Sequence, residues 1–514
     1  MTTLPARDRK VHPGQTFNMA AYAISRAALT TPDKPALIVI ADANAATPSE
    51  IWTYSRLERA VLAVAAGLRE RDYERGSRIA IRLENTATYP IVFFGAIAAG
   101  YVPIAMSAAL TPYEADFLLR DSGASAVVAA PTLPLEHIPD GVEAITHSDV
   151  ERWIAQAPSS TYAFTKGDDP AFLIYTSGTT ANPKGVLRAH RSIIGRRPMV
   201  EGWYGLTSND LVLHAGAFNW TYTLGTGLTD PWANGATAIV YTGDKHPELW
   251  PKLIAGTGAT IFAAVPTVFR QILKYGAPSR ENLGQLRHGL IAGETPPAGL
   301  FEAWRDATGL ELYEALGQSE LSTYISTSPT VPRVPGAIGK PQAGRRVAIL
   351  PVTGNDEPLP PGAEGLLAVH RSDPGLMLRY WNRPEEDRAV TRGEWFVGGD
   401  LATIDEAGYV WHRGRGDDVM KVLGYRVSPQ EVEAVLAQHP SVAEVACTAV
   451  KVRADVAIIG AFIVPREGPA PDPTAILAFA AERLADYKRP KQIVFVEHLP
   501  RTANGKIKRS DLVG

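Results

Sequence analysis

The sequence predicts an α/β protein: a large N-terminal domain of α/β layers with a small β unit, then a small C-terminal α/β domain. Short apolar runs alternate with amphipathic stretches along most of the chain. After about residue 350 the chain becomes rich in turn residues, as in "PVTGNDEPLPPGAEG". A length of 514 residues also exceeds what one hydrophobic core usually organises. We place the domains at 1–416 and 417–514.

The apolar runs have the length and composition of buried strands. They begin at Arg78 ("RIAIRL"), Ala171 ("AFLIYTSG"), Ala236 ("ATAIVYTG"), Thr260 ("TIFAAVPTV") and His288 ("HGLIAGE"). Their alternation with helical patterns predicts largely buried sheets covered by helices.

One segment, from Thr86 to Tyr113, carries no charged residue and is long enough to span a membrane. However, prolines and glycines interrupt it, and its many alanines make it only weakly apolar. We therefore predict a buried helix followed by a buried strand, and no transmembrane segment.

Two helices have clear signals in the sequence. In "YSRLERAVLAVAAGL", Ser55 and Glu58 predict a capping box. The apolar face of that helix comprises Leu57, Val61, Val64 and Leu68. Ser428 and Glu431 predict a second capping box, with Pro429 at the first helical position. That helix has an apolar stripe of Val432, Val435 and Leu436 and should end before Pro440.

Composition excludes several kinds of protein. The net charge of −3 provides no global field for nucleic acid or an anionic membrane. The single cysteine, Cys447, excludes an internal disulfide framework, and the histidines lack the spacing of a zinc site. The start, "MTTLPARDRKVHPGQTF", has no apolar signal core, so we expect a cytoplasmic protein. A homo-oligomer is left open.

The segment from Tyr175 to Gly185, "YTSGTTANPKG", gathers glycines, hydroxyls and Lys184 directly after an apolar run. Glycines permit close backbone approach to a ligand, hydroxyls and amides bind phosphate oxygens, and lysine adds a positive charge. The segment is not a Walker A loop, because Pro183 precedes the lysine where that motif has glycine. Taken alone, a loop of this composition is more often a surface turn than a phosphate site.

This segment resembles the phosphate-binding signature of the adenylate-forming superfamily, and four later motifs resemble further motifs of that superfamily. In the family's order follow "LGQSE" ending at Glu320, "GGD" ending at Asp400, "GRGDD" around Arg415 and "PRTANGKIKR". The resemblance covers nearly the whole chain. By eye it is strongest to medium-chain and aryl acyl-CoA synthetases, through "LRHGLIAGETPPAGLFEAWRDATGLELYEALGQSE" and "DPWANGA".

The resemblance implies an acid–CoA ligase that uses ATP, Mg²⁺ and coenzyme A. A carboxylic acid attacks the α-phosphorus of ATP, and a thiol then attacks the acyl adenylate. The implied catalytic residues are Lys506, Thr179 and Glu320, the last also as metal ligand. The resemblance also implies that the small C-terminal domain is mobile, with Asp417 as its hinge. The implied ATP-binding residues are Ser177, Gly178, Thr179, Thr180, Lys184, Gly293, Glu294, Leu316, Gly317, Ser319, Asp400 and Arg415. Gly424, Tyr425 and Arg426 are implied for coenzyme A.

The same resemblance places an acyl pocket at Phe218, Asn219, Trp220, Ala292, Gly293 and Gly317, which are equally compatible with ordinary core packing. No Lys or Arg occurs from His214 to Asp230, which favours a monocarboxylic, largely apolar acid, with His214 the one exception to consider. Gly317 is expected to leave space where acetate-type enzymes have a bulky aromatic residue.

Two residues depart from the family's pattern, and other functions stay open. Leu316 replaces the aromatic residue that stacks on adenine, and Ala181 replaces a usual glycine. One alternative is an adenylating enzyme that loads a carrier protein, and another is a non-catalytic acyl or nucleotide sensor. The basic segments "YKRPK" and "GKIKR" are also typical of a solvated tail. Because few aromatic residues lie near these segments, they do not indicate a nucleic-acid binding site.

Overall fold

The computed structural model describes residues 15–43, 47–133, 138–176, 183–294, 296, 299–415, 420–422, 425–453, 456–466, 472–500, 507 and 509–512. These residues form α/β layers followed by a small C-terminal α/β unit, which confirms the predicted fold class. The predicted domain boundary after residue 416 lies outside the described residues.

The first large sheet has nine strands among the described residues and mixes parallel and antiparallel neighbours. The apolar runs predicted at Ala236, Thr260 and His288 are strands of this nine-stranded sheet. In spatial order its strands are Lys340–Pro341, Ser322–Ser326, Glu311–Gln318, His288–Ala292, Ile261–Ala264, Leu211–His214, Thr237–Tyr241, Pro35–Ile40 and Pro48–Thr53.

The second large sheet has seven strands in the described ranges and contains the runs predicted at Arg78 and Ala171. In spatial order they are Arg379–Tyr380, Lys184–Ala189, Pro170–Thr176, Val102–Ala105, Arg78–Arg82, Ala124–Ala129 and Glu143–Ile145. The central strands of this seven-stranded sheet are parallel, so their carboxyl ends meet at one edge.

The smaller sheets follow later in the chain. An antiparallel sheet, as expected for the turn-rich region, consists of Val347–Leu350, Gly365–His370, Thr391–Arg392, Trp395–Ile404 and Val410–Arg415. The C-terminal unit has a hairpin, Met420–Val422 with Tyr425–Val427, and a sheet of Val442–Arg453, Val456–Pro465 and Gln492–Phe495.

Helices cover these sheets. The α-helices are Met19–Thr30, Tyr54–Arg69, Thr88–Ala99, Pro112–Ser122, His147–Gln156, Thr221–Leu224, Asp230–Ala233, Leu249–Thr257, Pro266–Gln271, Leu300–Thr308, Pro384–Ala389, Pro429–Leu436 and Pro473–Arg483. Short 3₁₀ or π segments are His190–Arg196, Val200–Tyr204, Gly225–Thr229, Ile272–Gly276, Glu281–Leu283, Asp486–Lys488 and Arg509–Asp511.

The uncharged segment forms the helix Thr88–Ala99 and the strand Val102–Ala105, as predicted. The helix is apolar on every side because it lies between the two large sheets. Phe93 contacts Phe172 of the seven-stranded sheet at 5.6 Å between ring centroids, and Phe94 contacts Trp232 on the other side at 5.1 Å. In the described part of the chain, no helix is long and apolar enough to cross a bilayer.

Both predicted helices form, but the caps differ from the prediction. The first helix, Tyr54–Arg69, begins one residue before Ser55, and Thr53 accepts the capping hydrogen bond from the Arg56 N–H. The predicted Ser55 cap is therefore wrong. Ser428 caps the second helix, but the carboxylate of Glu431 binds a lysine instead of completing a capping box. Local spacing identified the helices but not the partners of these side chains.

Candidate active site

A cavity of about 490 Å³ lies where strands of both large sheets end and the C-terminal unit covers them. Ala105, Thr176 and Gln318 are the last residues of their strands, and all three line it. Ligands of α/β proteins bind at this edge, beyond the carboxyl ends of the strands. Among the predicted site residues in the described chain, those that line this cavity are Lys184, Asn219, Trp220, Ser319, Glu320 and Tyr425.

Tyr380 brings a predicted phosphate-binding residue and the predicted metal ligand together. Its hydroxyl donates a hydrogen bond to Glu320 Oε1 at 2.8 Å. The Lys184 ammonium lies 5.5 Å from the centre of the Tyr380 ring and pairs with the Glu386 carboxylate. Lys184 thus already holds an anionic group at the cavity wall. Ser177, Gly178, Thr179 and Thr180 lie outside the described residues.

Arg188, which sequence reasoning missed, fixes the turn that carries Ser319 and Glu320. Its buried guanidinium donates to the carbonyl oxygens of Ser319, Leu321 at 3.2 Å and Gly375 at 2.7 Å. Burial lowers the pKa of Arg188 to about 9. The available signal is a second charged residue, Arg188, which directly follows the uncharged run 185–187 of the strand Lys184–Ala189. Ser319 and Glu320 therefore have a rigid base at the cavity.

The "GGD" motif positions Asp400 through both of its glycines. A Cβ on Gly398 would lie 2.4 Å from Gln318 Oε1, so any side chain there would displace Gln318. Gly399 has φ +85°, which favours glycine. Asp400 follows on the strand Trp395–Ile404, and its Oδ1 lies 3.0 Å from His412 Nε2. Arg415 pairs in register with Asp400, while its side chain lies outside the description.

Gly293 and Glu294 follow the strand His288–Ala292. Gly293 has φ +94°, which explains a glycine at this turn. Glu294 Oε2 accepts hydrogen bonds from the Thr267 N–H at 3.2 Å and the Thr267 hydroxyl at 2.7 Å. Burial raises the pKa of Glu294. The carboxylate thus holds the start of a helix, and nucleotide binding at this turn stays a prediction.

The structure brings only part of the predicted acyl pocket to the cavity. Asn219 and Trp220 line it. Phe218 instead packs on Tyr89, at 5.6 Å between ring centroids, and Ala292 is buried in the core of the nine-stranded sheet. Phe218 and Ala292 therefore pack in the core, which was the alternative to a place in the acyl pocket.

Gly317 does not provide the expected open space. A Cβ at this position would lie 2.7 Å from Thr323 Cα and 2.8 Å from the Ser322 carbonyl oxygen, both on the adjacent strand. Glycine is needed here because the two strands approach closely at a register shift. A tryptophan at 317 would displace that strand rather than fill a pocket. Neighbouring Leu316 packs on the apolar cluster beneath the five-stranded sheet.

The loop that carries Asn219 and Trp220 is held by two polar residues outside it. Asn85 donates to the Gly216 carbonyl oxygen and accepts from the Phe218 N–H, each at 2.9 Å. Lys245 donates to the Ala215 carbonyl oxygen at 2.8 Å. Since both come from distant parts of the chain, local sequence patterns do not reveal them.

His214 does not supply a positive charge to this region. Burial, with a smaller contribution from the Lys245 charge, lowers its pKa to about 3. Its Nδ1 accepts a hydrogen bond from the Gly216 N–H at 2.9 Å. The imidazole is therefore neutral near pH 7. It does not provide the positive charge that a second carboxylate on the substrate would need.

Of the predicted coenzyme A residues, Tyr425 reaches the cavity. Its ring contacts Trp220 edge to face at 5.7 Å between centroids. Arg426 pairs in register with Lys421, and its side chain is not described. Gly424, Asp417 and Lys506 lie outside the described residues, so their roles stay predictions.

Comparison with known proteins connects this geometry to a family. A family model described as "AMP-binding enzyme" matches residues 24–381, and a model of the C-terminal domain of such enzymes matches residues 431–506. The benzoate–CoA ligase of Thauera aromatica is 31% identical over 502 residues, 92% of each chain. Acetyl-coenzyme A synthetase of Bacillus subtilis (strain 168) is 31% identical over 459 residues, 85% of this chain and 80% of that protein. ATP-bound MatB from Rhodopseudomonas palustris has a TM-score of 0.70 at 27% identity and covers 96% of this chain and 98% of that one.

Proposed function

This chain belongs to the AMP-binding enzyme family as an AMP-forming acyl-CoA ligase, and from this premise we propose its substrate and the roles of its residues. It activates a medium-chain, branched or aromatic monocarboxylic acid as the acyl adenylate and releases pyrophosphate. Coenzyme A then attacks the adenylate, which yields the acyl-CoA thioester and AMP.

The observation that carries this proposal is the single cavity that joins Lys184, Glu320 and Tyr425. In the first step, the acid's carboxylate oxygen bonds to the α-phosphorus as the bond to the leaving pyrophosphate breaks. The Lys184 ammonium stabilises the phosphate charge, because a fixed cation in a water-poor site lowers the energy of such transition states. Ser319 contacts the α-phosphate, and Asp400 accepts hydrogen bonds from the ribose hydroxyls.

The site also fits a magnesium ion. Among the described residues, no group of three potential metal ligands occurs. Protein-bound Mg²⁺ usually has one or two carboxylate ligands, with phosphates and water completing its shell. Glu320 at the cavity wall matches that requirement, with Tyr380 orienting its carboxylate. The ion would neutralise the charge of the triphosphate.

The first prediction concerns the size and charge of the acid that the enzyme prefers. The described part of the acyl segment that reaches the cavity is uncharged, comprising Asn219, Trp220 and Thr221. We expect hexanoate, a branched acid or benzoate to exceed acetate in kcat/KM by roughly tenfold or more, because each buried methylene contributes about that factor. Malonate should also be a poorer substrate, because its second carboxylate would meet this uncharged segment. Pyrophosphate release over this panel measures it.

Running that panel with and without coenzyme A identifies the acceptor. Thioester formation with free coenzyme A supports the ligase, whereas adenylate that accumulates despite coenzyme A indicates a carrier protein as acceptor. Acetate as the best substrate would contradict the proposed acid class. The relatives named above include both a benzoate–CoA ligase and an acetyl-coenzyme A synthetase at the same identity, so this experiment decides between sizes.

Replacement of Asp400 is the second prediction. Asp400→Asn retains the shape but removes the charge, so we expect KM for ATP to rise roughly tenfold or more, since a hydrogen bond to a charged group contributes about 1.5–3 kcal/mol. KM for the acid should stay unchanged. His412→Gln, which alters only the neighbour of Asp400, is the matched control. An unchanged KM for ATP in Asp400→Asn would remove this residue from the nucleotide site.

A further inference from the structure

A buried ion cluster joins the C-terminal unit to the N-terminal part of the chain. The Lys488 ammonium lies 2.9 Å from Glu114 Oε1 and 2.6 Å from Glu431 Oε1. All three side chains are less than 10% exposed. Glu114 belongs to the helix Pro112–Ser122, whereas Glu431 and Lys488 belong to the C-terminal unit. Lys488 therefore holds one carboxylate of its own unit and one across the interface.

The cluster is a contact between charged groups. Burial alone would lower the pKa of Lys488, but the carboxylates of Glu431 and Glu114 outweigh this effect, so the pKa is raised. Separating the two parts would break the charge-assisted hydrogen bond between Lys488 and Glu114, although Lys488 would keep its bond to Glu431. The Glu114–Lys488 contact therefore favours this arrangement of the two parts over one in which they separate.

An aromatic contact adjoins the ion cluster. Tyr487 stacks on Tyr425, with 4.1 Å between ring centroids and 16° between planes. Tyr425 in turn meets Trp220 at the cavity. Because Tyr487 directly precedes Lys488, the same short segment makes the ion pair with Glu114 and supports Tyr425.

The contact also determines which face of the C-terminal unit meets the cavity. Cys447 lies in the cluster with the helices Pro429–Leu436 and Pro473–Arg483, whereas Ala446 lies in the cluster with Ile507. Successive residues of a strand point to opposite faces of the sheet, so the helices and Ile507 cover opposite faces. In the described C-terminal unit, cavity-lining residues come from the helical side. Ile507, which follows Lys506 in the chain, packs on the far face.

We propose that Lys488 is a positioning residue for thioester formation, because its ion pair with Glu114 holds the C-terminal unit with Tyr425 at the cavity. This inference rests on the proposed two-step reaction. If adenylation, which we assign to Lys506, uses the face on which the next residue, Ile507, packs, this ion pair must open for that step. The pair accordingly favours the second step without contributing to the first.

The decisive variant is Glu114→Gln. A glutamine retains the acceptor oxygen for the Thr111 N–H and hydroxyl, so the start of the helix is preserved while the charge is lost. Glu433→Gln is the matched control, since it removes the charge from the Arg509–Glu433 pair, 2.9 Å long and wholly within the C-terminal unit. Thermal unfolding verifies that both variants fold.

Single-turnover assays measure the two steps separately. We expect Glu114→Gln to slow conversion of a preformed adenylate to the thioester roughly tenfold, as the loss of a hydrogen bond between charged groups predicts. Adenylate formation should be retained, and Glu433→Gln should retain both steps. Lys488→Met should give the same pattern as Glu114→Gln. Equal slowing of both steps, or an effect no larger than that of Glu433→Gln, overturns the proposal.

A distance measurement tests the contact without requiring activity. Spin labels at Arg120→Cys and Glu482→Cys occupy exposed sites on the two facing parts, and Cys447 is buried and so is not labelled. We expect one dominant short distance in the parent protein and a second, longer population in Glu114→Gln. An unchanged distribution refutes the contact. If no acid is activated by the parent protein, the proposed function fails while the distances still decide this point.

Discussion

Glu320→Ala is expected to slow adenylation by roughly 10²–10³-fold, the loss typical of removing a group that stabilises charge in a transition state. Arg188 holds the turn that carries Glu320, and the Tyr380 hydroxyl donates to its carboxylate, so the group is fixed at the cavity wall. A fixed carboxylate is the ligand that Mg²⁺ prefers beside phosphate. Exchange of labelled pyrophosphate into ATP measures the effect.

Tyr380→Phe tests how much the orientation of the Glu320 carboxylate contributes, apart from its presence. This variant retains Glu320 but loses the 2.8 Å hydrogen bond, so we expect a smaller loss of exchange, about tenfold. Glu320→Gln should additionally require more Mg²⁺ for half-maximal exchange, because the amide is a weaker ligand. Near-normal exchange in Glu320→Ala, with unchanged Mg²⁺ dependence, would exclude Glu320 from the metal site.

The fold could be predicted because its elements have local signatures. A strand buried on both faces is a short, continuous apolar run, and the five runs identified in the sequence are all strands. The uncharged segment from Thr86 to Tyr113 was correctly assigned to a helix and a strand because its glycines and prolines interrupt it. Local composition is enough to predict where a helix or strand is interrupted by a turn.

Candidate site residues could be proposed from the sequence only where a motif surrounds them. Lys184, Glu320 and Asp400 each lie in a short motif, but the groups that orient them, such as Arg188 and Tyr380, lie in other strands. Spatial neighbours of this kind depend on how the sheets assemble, which no local pattern records. For the same reason the sequence missed the strand that crowds Gly317.

Substitutions of Lys506 and Gly424 should affect different half-reactions. Lys506→Ala should lose adenylation by roughly 10²-fold or more, because a mobile ammonium can neutralise charge between the acid and the α-phosphate. The same variant should still convert a supplied acyl adenylate to acyl-CoA. Gly424→Leu should do the reverse, since a side chain beside Tyr425 would obstruct a thiol that passes close to the backbone. Each half-reaction is assayed alone on both variants.

Asp417→Pro tests the proposed hinge between these two states. Proline fixes φ and removes an N–H, so this variant should hinder whichever arrangement needs another backbone conformation at residue 417. Glu114→Gln provides the comparison, because it weakens one arrangement without altering the hinge. We therefore expect Asp417→Pro and Glu114→Gln to differ in the half-reaction that they slow, or in how strongly they slow it. Equal losses in both half-reactions for both Lys506→Ala and Gly424→Leu would contradict a C-terminal unit that presents different faces to one cavity.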